Sequence, residues 1–251
     1  MKFSIIFPTR GRTAYLRRAL ESIKACTKKR HHVEVLIGID DDDQEMKDFS
    51  FKGVNLKKHI FKENCGDFNG HAYRVNSLAE ECTTDAIWLL SDEIVLHTKG
   101  WDKIIERKIK DSKMKVWYGE TSDFVVRGTN TECSLHPLTG ERFSCFPMVS
   151  RYAFKALGYI TTPKLRGWGS DLYLRMLFSN PYIMKIIDLH DIEVEHTTSV
   201  SSHRMSDYKE DLARMVKAGD AEYLPNNVIK FNIHRELLNL RKEINKWNYS
   251  T

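Results

Sequence analysis

The chain has 251 residues, 41% hydrophobic and 29% charged, with 39 Lys and Arg against 34 Asp and Glu for a formal net charge of +5. This is ordinary globular composition, and it excludes a disordered tail protein, a collagen and a membrane channel. The positive excess favours anionic ligands but is too small for a dedicated polyanion binder, so the location of the charges matters more than their sum.

In chain order, Phe3 to Phe7 is a short apolar run, Leu16, Ala19, Leu20 and Ile23 recur at helical spacing, and Val33, Val35, Ile37 and Ile39 alternate. These predict strand, helix and strand. A loop carrying Asp40 to Asp43 follows, then a strand near His59 to Phe61, a helix from about Gly70 to Cys82 and a strand over Ala86 to Leu90. Strands alternating with helices imply an α/β fold with a mostly parallel, Rossmann-like sheet covered on both faces. Beyond Leu90, Trp101, Ile104, Ile105 and Ile109 predict a helix and Val116 to Tyr118 a strand, while Gly119 to Pro147 reads as a long polar loop with turn signals at Gly128, Pro137 and Gly140. Ser150 and Ser170 are candidate helix caps, and Ile183 to Asp188 and Ile192 to His196 are expected to be two closing strands. From about Ser206 the character changes. One amphipathic helix is expected to run to Lys217 with Gly219 as its stop, and a second from Asn227 to Trp247, with Ile229, Ile233, Leu237, Leu240 and Ile244 on one face. The expected division is a sheet domain over residues 1–205 and a C-terminal helical extension over 206–251, packed on that domain or on a second copy in a homo-oligomer.

Cys26, Cys65, Cys82, Cys133 and Cys145 are scattered, with no C-x-x-C pair and no histidine at zinc-finger spacing, which reads as reduced thiols in a cytoplasmic protein. The run Phe3 to Phe7 is too short for a secretion signal, and nothing approaches the roughly 20 apolar residues of a transmembrane segment.

In an open parallel sheet, ligands bind beyond the carboxyl ends of the strands. Those ends here are Pro8-Thr9-Arg10-Gly11-Arg12, Asp40 to Asp43, Ser91-Asp92-Glu93 and Glu195-His196-Thr197. Carboxylates gathered there repel one another unless a cation or hydrogen-bond donors neutralise them. Asp92, Glu93 and His196 are a credible set for a hard divalent ion, Mg²⁺ or Mn²⁺, the imidazole tilting the choice toward Mn²⁺. Each residue also has an ordinary structural use: an acidic run as a solvated turn, Asp92 or Asp171 at a helix start, His196 as a bonded core histidine, and the basic stretch Lys24 to His32 as a complement to a helix dipole. Their order along one chain and their shared place at strand ends point to a site.

The sequence resembles the family 2 glycosyltransferases. The opening strand and Pro-Thr turn of that family look like Ser4 to Arg12, its first helix like Tyr15 to Ile23, and its strand ending in paired aspartates like Val33 to Asp41. The segment leading to its metal motif looks like Arg74 to Ala79 followed by Ile87 to Glu93. The resemblance covers roughly residues 2–200 and implies a GT-A fold and a nucleotide-sugar donor, a UDP-sugar first. By the same resemblance Pro8, Thr9 and Asp40 would line the base and ribose pocket, and Ser91, Asp92 and Glu93 would replace the D-x-D motif. Gly167-Trp168-Gly169-Ser170-Asp171 would supply the general base, Asp171, and His196 would complete the metal shell. Ser91, where an acid is usual, and Asp42-Asp43, where Gly-Ser is usual, depart from the pattern.

The implied reaction is metal-dependent and inverting. Arg10, Arg12 or Arg74 would grip the diphosphate, while Trp168, Gly169 and, if exposed, Trp101 would meet a sugar. Two alternatives stay open: a polyanionic acceptor, such as a modified base in DNA in place of a glycan, and a binding protein with weakened catalysis, for which Ser91 is the motive.

Overall fold

A computed structural model describes residues 1–62, 69–127, 130–133, 144–165, 170–197, 213–219, 221–224 and 228–248. The N-terminal part alternates strands and helices: β1 (Phe3–Pro8), α1 (Thr13–Cys26), β2 (Val33–Asp40), α2 (Gln44–Asp48), β3 (Asn55–Phe61), α3 (Asn69–Glu81), β4 (Ala86–Leu89), β5 (Ile94–Leu96) and α4 (Trp101–Ser112), of which the short α2 and β5 are additions to the predicted order. Then come β6 (Tyr118–Arg127), β7 (Asn130–Cys133), β8 (Met148–Ser150), α5 (Arg151–Leu157), α6 (Ser170–Ser179), β9 (Ile186–His196), β10 (Ala221–Leu224), β11 (Val228–Phe231) and α7 (His234–Asn248).

Nine strands form the main sheet in the order β3-β2-β1-β4-β8-β6-β9-β5, with β7 paired to β6, while β10 and β11 form an antiparallel hairpin. The β3-β2-β1-β4 half is wholly parallel, with Phe3 opposite both Val33 and Ala86. Helices cover both faces, so the period-2 pattern divides each strand between two cores. Phe3, Ile5, Phe7, Val35, Ile37 and Trp88 point into one with α1, and Ile6, Leu36 and Ile87 point into the other with α3. All eight residues of β2 are buried. Gly38 is required by close approach, because a Cβ there would lie 2.7 Å from the Phe61 ring.

Several expectations change. The polar segment Gly119 to Pro147 is not one long loop: Tyr118–Arg127 is a ten-residue strand that pairs with β9, β8 and β7. It reads as loop because Glu120 to Asp123 are polar, yet all four are buried, Thr121 and Asp123 hydrogen-bonded to Ser144 and Glu120 ion-paired with Arg175. The two closing strands are one, Ile186–His196, with Thr121 opposite Leu189 but Ser122 opposite Glu193. The register shift falls between Leu189 and Glu193, where the polar pair His190-Asp191 interrupts the apolar alternation.

In the tail, Val228–Phe231 is a strand, so Ile229 belongs to the hairpin opposite Tyr223 and not to the helical stripe. The β-branched pair Val228-Ile229 and the break at Asn232 explain the difference. Residues 213–217 are helical and Gly219, at φ +76°, ends them; the rest of that expected helix, 206–212, lies outside the described residues. Ser150 caps α5, accepting from Ala153 N, whereas Ser170 falls inside α6. Trp101 is fully buried with its Nε1 donating to Thr27 Oγ1, so it is core and not a sugar platform. Among the described residues no helix is long and apolar enough to cross a membrane.

Helix α7 lies against α5. Leu240 is fully buried and Ile233, Leu237 and Ile244 pack beside it in the α3-side core, so the stripe's apolar surface is used within the chain. Leu240→Ala should therefore lower the unfolding free energy by about 2–5 kcal/mol, as truncation of a core leucine does. Urea unfolding measures this, and a loss below about 0.5 kcal/mol would mean that α7 does not complete the core.

Candidate active site

The parallel register brings the carboxyl ends of β1, β2 and β4 to one edge. Thr9 N donates to Gly38 O (3.1 Å) and Leu90 N to Ile6 O (3.1 Å), so the segments leaving the three strands start side by side. Pro8 is the last residue of β1, opposite Gly38.

Arginines meet the acids that gather there. Asp40, buried at the end of β2, accepts from Arg74 Nε (2.8 Å) and Nη2 (2.5 Å) through one oxygen and from Arg10 Nη1 (2.7 Å) through the other. Arg10 also grips Asp42 with both terminal nitrogens at 2.7 Å, which holds the Asp42 carboxyl below its usual range and the guanidinium above its own. Asp41 pairs with Lys47, and Asp43 caps α2 through Met46 N while its second oxygen accepts from Gly11 N (2.6 Å). The Asp40 to Asp43 run is thus a turn in which every carboxylate is bonded although Asp41 and Asp42 stay exposed, and it is tied to the loop that follows β1.

The second cluster joins β1, β4 and β9. Asp92 is buried; Thr9 Oγ1 donates to its Oδ2 at 2.5 Å and Arg12 Nη1 lies 3.2 Å from its Oδ1. Burial pushes the Asp92 carboxyl up, against the pull of Thr9 and Arg12. The same Arg12 nitrogen lies 2.6 Å from Glu93 Oε1, and His196 Nε2 lies 3.7 Å from Glu93 Oε2. Pairing of Ile94 with His196 sets that approach, and Thr197 donates to Glu93 O through its N (2.8 Å) and Oγ1 (2.9 Å). Ser91 Oγ accepts from Glu93 N, tightening the turn. Among the described residues no three His, Cys, Asp or Glu side chains are gathered closely enough to hold a metal ion. The donor chemistry nevertheless fits one: two carboxylates already converge on a single positive charge, Arg12, with an imidazole beside them.

Asp171 stands in the first turn of α6, its Oδ1 accepting from Leu172 N (2.8 Å). Burial pushes its carboxyl up to about 6. Trp168 and Gly169, expected at the acceptor side, lie outside the described residues.

The sequence reading missed the acids of β6. Asp123 is buried, and burial pushes it up to about 7 against four hydrogen bonds; Glu120, also buried, has Arg175 Nε at 3.4 Å. The available signal was a polar quartet set between Trp117-Tyr118 and Phe124-Val125, a pattern that a solvated loop has no need of.

No protein-family model matches the sequence, and no curated protein matches it. Solved structures do. S. aureus TarS 1–349 in complex with UDP-GlcNAc matches with a TM-score of 0.67 at 17% identity, over 100% of this chain and 74% of that one. The same fragment in complex with UDP gives 0.64 at 16% identity, over 100% and 73%. The mannosyltransferase PcManGT from Pyrobaculum calidifontis, in complex with GDP-Man and Mn²⁺, gives 0.60 at 10% identity, over 100% and 76%. At such identities the likeness is one of fold: the chain has a GT-A-like glycosyltransferase fold, as the sequence resemblance implied.

The raised Asp171 carboxyl has a consequence for stability. Against an ordinary aspartate near 3.9, the folded chain holds this proton more tightly than the unfolded one, so the contribution is complete below about pH 4 and is lost as pH rises through about 6. Asn has no charge to desolvate. Asp171→Asn should therefore melt higher than the parent at pH 8, with the gain shrinking toward pH 4.5. A variant that melts no higher at pH 8 than at pH 4.5, relative to the parent, would show that burial does not strain this carboxylate.

Proposed function

We propose that the protein is a glycosyltransferase that moves a sugar from a nucleotide-diphosphate sugar, a UDP-sugar first, to a hydroxyl acceptor with inversion at the anomeric carbon. The observation that carries this reading is the whole-chain fold match to TarS and PcManGT, proteins solved with UDP-GlcNAc and with GDP-Man and Mn²⁺. The motif order that resembles family 2 glycosyltransferases supports it independently. We assign the transferase unit to residues 1–205 and its extension to 206–251.

Thr9 and Asp40 would bind the nucleoside at the ends of β1 and β2, beside Pro8 and Ser91. Arg10, Arg12 and Arg74, now on carboxylates, would take the diphosphate bidentately. Asp92, Glu93 and His196 would hold a divalent ion, Mn²⁺ ahead of Mg²⁺, which when bound offsets the charge that grows on a departing diphosphate. Asp171, with a carboxyl near 6, is ionised at neutral pH yet basic enough to accept the proton of the attacking hydroxyl. Attack from the face opposite the leaving group inverts the sugar, with oxocarbenium character in the transition state. Trp168 and Gly169 would line the acceptor side.

A thermal-shift screen of nucleotide diphosphates and their sugars, with and without Mn²⁺, identifies the donor, because a ligand of the native state raises its stability. Released nucleotide diphosphate then reports transfer. Asp171→Asn should lower kcat about a hundredfold or more with donor affinity within threefold of the parent. Undiminished transfer removes Asp171 as base; binding without any release of nucleotide diphosphate favours the weakened binding protein instead.

One observation favours a polyanionic acceptor over a neutral glycan. A cavity of about 470 Å³ at the far end of α1 is lined by Lys28, Arg30, His31 and Lys99, with no carboxylate in its described walls. It lies about 20 Å along the helix from the Thr9 loop, so only an extended chain would reach both. Acceptor affinity should then fall with salt at a logarithmic slope of about −2 to −3, one increment per phosphate met. A flat response returns the acceptor to the neutral class.

A further inference from the structure

Asp123 lies near the middle of β6, and its carboxylate accepts four hydrogen bonds. Thr121 Oγ1 donates to Oδ1 (2.8 Å), and Ser144 Oγ (3.0 Å), Cys145 N (2.5 Å) and Phe146 N (3.3 Å) donate to Oδ2. Three of the four donors belong to one short turn, residues 144–146. Other bonds fasten that turn to the sheet: Trp88 Nε1 donates to Phe146 O (3.1 Å) and Leu89 N to Pro147 O (3.0 Å).

The opposite side of the turn faces the candidate site. The Phe146 ring stands edge-on to the His196 ring at 5.5 Å and 89°, and the Cys145 side chain is one of the groups that draw the Asp171 carboxyl down against its burial. A single turn therefore touches both the nominated base and the nominated imidazole ligand, which arrive from different elements, α6 and β9. A buried carboxylate that only filled space would be replaced at little cost by an apolar residue, since taking its charge out of water is expensive. Here the expense is matched by donors that all serve one short stretch of backbone.

We infer that Asp123 is a positioning residue: by clamping residues 144–146 it sets, through Cys145 and Phe146, the placement of Asp171 against His196. This rests on the glycosyltransferase reading for its consequence on catalysis, but not for the clamp itself. Asp123 touches no reacting atom in this role. Its removal should leave the donor pocket of Thr9, Asp40 and Arg74 unchanged and disturb the step that needs Asp171.

The test compares the parent with Asp123→Ala, Asp123→Asn and Ser144→Ala in the full chain, checked for folding by circular dichroism. Two readouts are used: the iodoacetamide alkylation rate of Cys145, resolved by peptide mass spectrometry, and kcat with donor KM for whichever UDP-sugar the screen returns. Asp123→Ala should alkylate Cys145 at least tenfold faster and lose at least tenfold in kcat, with donor KM within threefold. Asp123→Asn keeps one carbonyl oxygen for the Cys145 and Phe146 amides and should stay within threefold of the parent on both readouts. Ser144→Ala removes one donor of four and should fall between; if Asp123→Ala does not fold, the Asn and Ser144 variants carry the test.

Parent-like alkylation in Asp123→Ala, or in Ser144→Ala where Asp123→Ala does not fold, overturns the clamp. So does a loss in Asp123→Asn equal to that in Asp123→Ala, which would make the residue merely structural. A parent that releases no nucleotide diphosphate from any donor, while Asp123→Ala still exposes Cys145, sinks the glycosyltransferase reading and leaves the clamp standing.

Discussion

The arrangement of this fold depends on one electrostatic constraint. Three parallel strands, β1, β2 and β4, end side by side, and each sends an acidic or polar segment to the same edge. Asp40, Asp42, Asp92 and Glu93 cannot share that edge uncompensated, and three arginines meet them: Arg10 on Asp40 and Asp42, Arg74 on Asp40, and Arg12 on Asp92 and Glu93. Two of the three come from the loop after β1, so the register of β1 against β2 and β4 decides which acids can be paired. A slip of one residue would turn the side chains to the opposite faces and bury charge without partners.

The same constraint explains the polar strand β6. A sheet interior tolerates Glu120, Thr121, Ser122 and Asp123 only if each finds a donor or acceptor, and the turn 144–146 together with Arg175 supplies several of these partners. The result is an interior held in place by geometry. Asp123 and Asp171 are both pushed upward by burial, so the chain forgoes some stability at neutral pH to keep two carboxylates where they stand. That is the usual sign of a region shaped by something other than stability.

How much of this could be read from residues alone follows from the range of the interactions. The first four parallel strands with α1 and α3 were legible because periodicity reports local burial, which is complete in β2 and lacks only the last residue in β1 and β4. Ser150 as a cap was legible because a cap is local. What was not legible rests on distant partners. Glu120, Thr121 and Asp123 read as loop because Arg175 and Ser144, which compensate them, lie about 20 or more positions away in the chain. Ile229 fits the helical stripe in sequence, and only the hairpin with Tyr223 removes it. Trp101 could be placed near a sugar by spacing, yet its ring fills the core beside Phe3 and Trp88. In the expected site His196 Nε2 lies 3.7 Å from Glu93 Oε2, but the cation between Asp92 and Glu93 is Arg12, which the sequence reading cast only as a phosphate contact.

That position of Arg12 bears on how the proposed reaction would begin. In the resting chain the acids of the site and its arginines satisfy one another, so neither set is open to a ligand of its own sign preference. In the proposed reaction a diphosphate would draw Arg10 and Arg74 from Asp40 and Asp42 and Arg12 from Asp92 and Glu93, and the last two would then be bare for a divalent cation. Conversely, a cation settling on Asp92 and Glu93 would release Arg12 for the phosphates. Each exchange lowers the cost of the other, because either one alone leaves unpaired charge in a half-buried place. Donor and metal would therefore bind with positive coupling, reciprocal in the two ligands, and Arg12 is the group through which the coupling passes.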